Sequence, residues 1–153
     1  MAYSYDFFVA EMKCPVCGAV SPADDSTEMY SYIRDEPQGE NLGVGSPLLI
    51  HRDDIDQNRC DGYLKISTPG PGDAIRLLNP WRCPTNGSYN WAQIEVRDGV
   101  ISSIVPVTLD RAVLERSHLI SNEADFLAAS LTNASASEII DKDTVQILRE
   151  RMS

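Results

Sequence analysis

Two thiols stand three positions apart in the segment Cys14-Pro15-Val16-Cys17-Gly18. A thiolate is a strong, soft metal ligand, and two on one tight turn can reach the same ion. Gly18 permits the backbone conformation that aims N–H groups at the sulfurs. Such a turn, or knuckle, supplies half of a tetrahedral site, so the other half must come from elsewhere. The chain has four cysteines, and the remaining two are Cys60 and Cys83. Cys83 opens Cys83-Pro84-Thr85-Asn86-Gly87, the same frame with Asn86 where a second cysteine would stand. Three arrangements follow. Cys60 supplies the fourth thiolate, or three cysteines share a metal with a different fourth ligand, or the thiols are buried and metal-free. Zinc is the expected ion, held by Cys14, Cys17, Cys60 and Cys83. A four-thiolate zinc site is structural, because it leaves no open position for chemistry. No βαβ pattern surrounds Cys14 and Cys17, which argues against a thioredoxin-like redox pair.

The other reactive side chains form no comparable pattern. His51 and His118 are the only histidines. His51 lies in Ile50-His51-Arg52-Asp53-Asp54-Ile55-Asp56, which reads as a solvated acidic loop. His118, at the end of a short helix, reads as a packing residue rather than a base. Gly43-Val44-Gly45-Ser46 lacks the rest of a dinucleotide loop or a nucleophile elbow. Pro69-Gly70-Pro71-Gly72-Asp73 is a rigid turn without a lysine to hold phosphate. Asn86-Gly87 is first of all a turn dipeptide. No catalytic constellation emerges, so the chain is read as non-enzymatic.

Bulk properties narrow the partners. The net charge of −10 repels phosphate backbones and anionic lipid, which disfavours nucleic acid and membranes. A hydrophobic content of 42% supports a real core rather than disorder. The N-terminal residues lack a basic n-region, and Phe7 to Ala10 is too short for a signal core. A reducing cytoplasmic setting is therefore expected, in which thiols stay free for metal.

Tyr5-Asp6, the Cys14 knuckle, and the Cys83 segment leading into a Trp91-containing hairpin together resemble small bacterial zinc-ribbon-type proteins with paired Cys-Pro-x-Cys-Gly knuckles. Some of these are associated with toxin–immunity systems. The resemblance covers the knuckles and nearby strands, and Asn86 departs from it. It implies a zinc-binding protein that acts by stoichiometric binding to a protein partner, in the narrower reading an immunity protein for a cognate toxin. The alternative is a structural or adaptor subunit of a larger complex. Candidate contact residues are Asp35, Glu36, Asp53, Asp54 and Asp56, with Tyr30, Tyr32 and Trp81 as aromatic anchors or core.

Positioning these residues requires an α+β domain: an antiparallel β region over residues 1–107 with a zinc-ribbon-like knuckle, then two or three short helices over 108–153. Tyr5 to Lys13 is an extended run with Tyr5, Phe7 and Val9 on one face. Glu28 to Arg34 is a second strand, Pro37 to Pro47 a loop, and Leu48 to Ile50 and Gly62 to Ser67 short strands. Tyr89 to Arg97 and Val100 to Val107 flank Asp98-Gly99 and predict a tight hairpin. Asp110 to His118 is a short helix. Asn122 can cap a second, carrying Leu127 and Leu131, and Asp141 or Asp143 a third, carrying Val145, Leu148 and Met152.

Overall fold

The computed structural model describes residues 5–33, 39–60 and 62–122. In chain order the strands are β1 (Asp6–Phe8), β2 (Met12–Lys13), β3 (Val20–Ser21), β4 (Tyr30–Ser31) and β5 (Asn41–Leu42). Helix α1 (Arg52–Asp56), β6 (Tyr63–Lys65), β7 (Ile75–Arg82), β8 (Tyr89–Arg97), β9 (Val100–Val107), α2 (Arg111–Glu115) and β10 (Leu119–Ser121) follow. The described chain is thus mixed α+β, mostly sheet with two short helices. The second and third expected helices, and Asp35 and Glu36, lie outside the described residues.

The principal sheet has the order β6-β10-β7-β8-β9. One half of it is the hairpin expected from Asp98-Gly99, whose φ angles are 54° and 73°. Two successive positive φ values give the turn a twist matching that of the strands it joins. Ala92, Ile94 and Val96 are buried on β8, with Ile101 and Ile104 on β9. A bulge places Ser103 opposite Glu95 and Ile101 opposite Val96, and the extra Ser102 donates its hydroxyl to the Glu95 carboxylate at 2.9 Å.

The other half departs from the expected pattern. β7 carries Pro80 in its middle, a residue that removes a ladder donor. β10 runs parallel to β7, and its last registered partners are Ile120 with Leu78. Pro80 lies beyond that point, so no bond on the β10 side is lost. Helix α2 makes the crossover from β9 to β10. Its N-cap Asp110 accepts from Val113 N–H at 2.8 Å, and Ser117 ties its end down by donating to Val113 C=O at 2.7 Å.

In the small sheet, β4-β1-β5, Tyr5 and Phe7 share a face as expected, and it is the outer one. Asp6 and Phe8 point inward and are fully buried, while Phe7 stacks outside with Tyr5 and Tyr30, ring centroids 5.3 Å away from each. The buried Asp6 carboxylate is not orphaned, because it accepts from Glu40 N–H at 3.0 Å. The sheets are also not wholly antiparallel: β1–β5 and β7–β10 are parallel pairs. One core cluster joins Phe8, Met12 and Met29 beneath the small sheet to Leu77, Trp81, Ile94 and Ile101 of the large one.

Three further segments differ from expectation, the first being the expected loop from Pro37 to Pro47, which carries β5. Residues 48–50 form no strand; instead Gly45, Ser46 and Leu48 hydrogen-bond Gly99 and Ile101, covering the start of the edge strand β9. The acidic run after His51 is helix α1 rather than loop, anchored by the fully buried Ile55. Among the described residues no helix is long and apolar enough to cross a membrane.

Candidate metal centre

Each knuckle is the tip of an antiparallel strand pair. The β2–β3 pair, with Lys13 opposite Val20, carries residues 14–19. The β7–β8 pair, with Arg82 opposite Tyr89, carries residues 83–88. The two turns repeat the same backbone bonds. Cys14 N–H donates to Ala19 C=O at 2.9 Å and Gly18 N–H to Cys14 C=O at 2.9 Å. Cys83 N–H donates to Ser88 C=O at 3.2 Å and Gly87 N–H to Cys83 C=O at 2.8 Å. Gly18 and Gly87 hold φ of 75° and 72°, a left-handed conformation that disfavours a side chain. The second knuckle is therefore the same turn as the first, with Asn86 occupying the position of Cys17.

Apposition of the two tips brings Cys14, Cys17 and Cys83 together, with all three sulfurs within 4.8 Å of one another. Cys17 Sγ and Cys83 Sγ are 3.6 Å apart. Four sulfurs around a tetrahedral zinc at ~2.3 Å stand ~3.8 Å from each other, so the cluster has the dimensions of a metal site. Cys14 and Cys83 are buried and Cys17 is exposed. The trio could hold a metal ion.

The surroundings of Cys14 favour its thiolate. Val16 N–H points at its sulfur from 3.4 Å, the Ser88 hydroxyl lies at 3.4 Å, and the amide groups of Asn86 and Asn90 each lie at 3.9 Å. Burial works against ionisation here, but the hydrogen bonds from Ser88 and from the Cys17 and Val16 backbone outweigh it and lower the pKa to about 6. Cys17 moves the other way. The Ala19 backbone N–H favours its thiolate, but desolvation and the adjacent Cys83 and Cys14 sulfurs together raise its pKa. A cation placed among the three sulfurs would relieve that mutual repulsion.

Cys60 does not join the cluster. It is half-buried, packed on the core cluster, and lines a cavity of about 380 Å³ with Tyr32, Ile33, His51 and Asp54. The loop between α1 and β6 places it there, because Cys60 C=O accepts from Tyr63 N–H at 3.2 Å. The expectation of Cys60 as fourth thiolate is corrected accordingly. Asn86 keeps its turn role, with Oδ1 accepting from Ser88 N–H at 2.9 Å.

Four of the remaining candidates are engaged within the fold. Asp54 pairs with Arg59 at 3.0 Å, and Asp56 accepts from Lys65 at 3.4 Å and Thr68 at 3.1 Å. Trp81 is fully buried and donates Nε1–H to Trp91 C=O at 3.1 Å, so it is core and not a surface anchor. His118 is buried, and its Nδ1 accepts from Arg76 N–H at 3.0 Å. Burial first, then the Arg76 charge, pushes its pKa below the ordinary value. Sequence reasoning missed Ser88 and Asn90. Asn90 is a buried polar residue in a strand, and its amide donates to Ser88 Oγ at 3.0 Å. The signal was available, since a buried strand asparagine beside a cysteine turn needs a partner.

Comparison of the chain with protein-family models, with curated proteins and with solved structures finds no match.

Proposed function

We propose that Cys14, Cys17 and Cys83 hold a zinc ion that pins the β2–β3 and β7–β8 tips together, in a non-enzymatic domain that works by binding a protein. The observation that carries this reading is the three-thiol cluster built from two copies of one turn. Zinc suits a cluster of thiolates, and its binding free energy would add to the stability of the fold. When bound, the ion would cross-link the hairpins and perform no reaction of its own. The pin would fix the first knuckle and β3, where Val16 and Val20 present apolar side chains that are 69% and 58% exposed. These two valines are exposed apolar side chains beside the metal centre, and we place the partner contact on them. Neutralisation of a cognate toxin is the narrower form of this reading.

The acidic segment is a weaker candidate for the contact surface than the sequence suggested. Arg59 and Lys65 already offset Asp54 and Asp56. The test is capture of the partner from the host by the tagged full chain, followed by binding kinetics. Val16→Asp with Val20→Asp should abolish capture while zinc content and folding persist. Undiminished capture by this double variant would move the interface elsewhere, and the absence of any stoichiometric partner would refute the binding role.

A further inference from the structure

We infer that the described residues leave a fourth position of the metal centre open, on the exposed side between Cys17 and Asn86, and that it takes a small thiolate from outside. This rests on the metal-site reading above. Three sulfurs supply three corners of a tetrahedron, and among the described residues Asn86, Ser88 and Cys60 are committed otherwise. The Asn86 Oδ1 accepts from Ser88 N–H, and its Nδ2 faces the Cys14 sulfur at 3.9 Å. An amide nitrogen is a donor with no lone pair to give a metal. The Ser88 hydroxyl sits at 3.4 Å from the same sulfur and accepts from Asn90 Nδ2 at 3.0 Å. Cys60 lies in a different cavity.

The equivalence of the two knuckles locates the missing corner. In the first, the sulfur of Cys17 fills it; in the second, it falls where the Asn86 side chain leaves the turn. Both residues are exposed, so a small molecule can approach without moving the core. Softness selects the ligand class, because a metal already held by sulfur prefers another soft donor to a carboxylate. Binding would form one sulfur–metal bond, with the thiol proton released to solvent and no electrons exchanged.

The probe is the full chain loaded with Co(II) in thiol-free buffer and titrated with 2-mercaptoethanol. Sulfur-to-cobalt absorption should rise saturably by about one third, as four Co–S bonds replace three, with cobalt still eluting with the protein. Asn86→Cys should start at the higher level and ignore the thiol. Unchanged absorption in the wild type with cobalt bound would overturn the open position, as would thiol that strips the cobalt instead of joining it. Failure to bind cobalt at all is a separate result, and it would refute the metal site itself.

Discussion

Replacing Asn86 by cysteine should convert a three-thiolate centre into a four-thiolate one. The turn is already suited to it, since residues 83–88 repeat the backbone bonds of residues 14–19 and Gly87 matches Gly18 within 3° (75° against 72°). Asn86 is exposed, so the substitution disturbs no packing. The new sulfur can accept the Ser88 N–H now taken by Oδ1, and only the 3.9 Å approach of Nδ2 to Cys14 disappears. Four-ligand zinc sites in small domains bind with roughly 10–16 kcal/mol, about 3 kcal/mol per ligand, so the added thiolate should tighten zinc by about two orders of magnitude. Competition against a chromophoric chelator at fixed pH measures this directly. A dissociation constant unchanged or weaker in Asn86→Cys would refute the equivalence of the knuckles and with it the location of the fourth corner.

Three other outcomes are expected. Cys60→Ser should retain its full zinc content by elemental analysis and lose no more than about 1 kcal/mol in urea unfolding, since the residue is only half-buried. Trp81→Ala should cost about 3–5 kcal/mol by the same assay, because it empties the centre of the core and removes the indole N–H bond to Trp91 C=O. His118 has a folded pKa below its ordinary 6.5, so the unfolded chain binds its proton first. Its contribution is therefore present above that value and lost as pH falls through the folded pKa. The urea midpoint should drop between pH 7 and pH 5 more steeply in the wild type than in His118→Gln; equal slopes would contradict the buried, Arg76-facing neutral imidazole.

The parts of the fold legible in the sequence were those fixed locally. Asp98-Gly99 between two β-branched runs specifies a hairpin whatever surrounds it, and Asp110 caps α2 through its own side chain. The first knuckle was legible for the same reason, and Cys83 through the repeated Cys-Pro-x-x-Gly frame. β7 and β10 were not, because both are interior strands buried on two faces and show no alternation, and Asn79-Pro80 imitates a turn. Asn79 is instead locked into the core, donating to Tyr30 C=O at 2.9 Å, a long-range bond that no local pattern announces. Helix α1 was hidden by its aspartates, since a single buried Ile55 anchors it. The assignment of Cys60 failed because thiol count alone suggested four ligands. The departure at Asn86 was the better guide.

Whether three thiols of this chain share one ion is read out by native mass spectrometry of protein purified without chelators. One zinc per chain is expected for the wild type and for Cys60→Ser, and none for Cys14→Ser, Cys17→Ser or Cys83→Ser. Metal-free wild-type protein, with Cys14, Cys17 and Cys83 alkylating as fast as free cysteine under native conditions, would contradict the shared site.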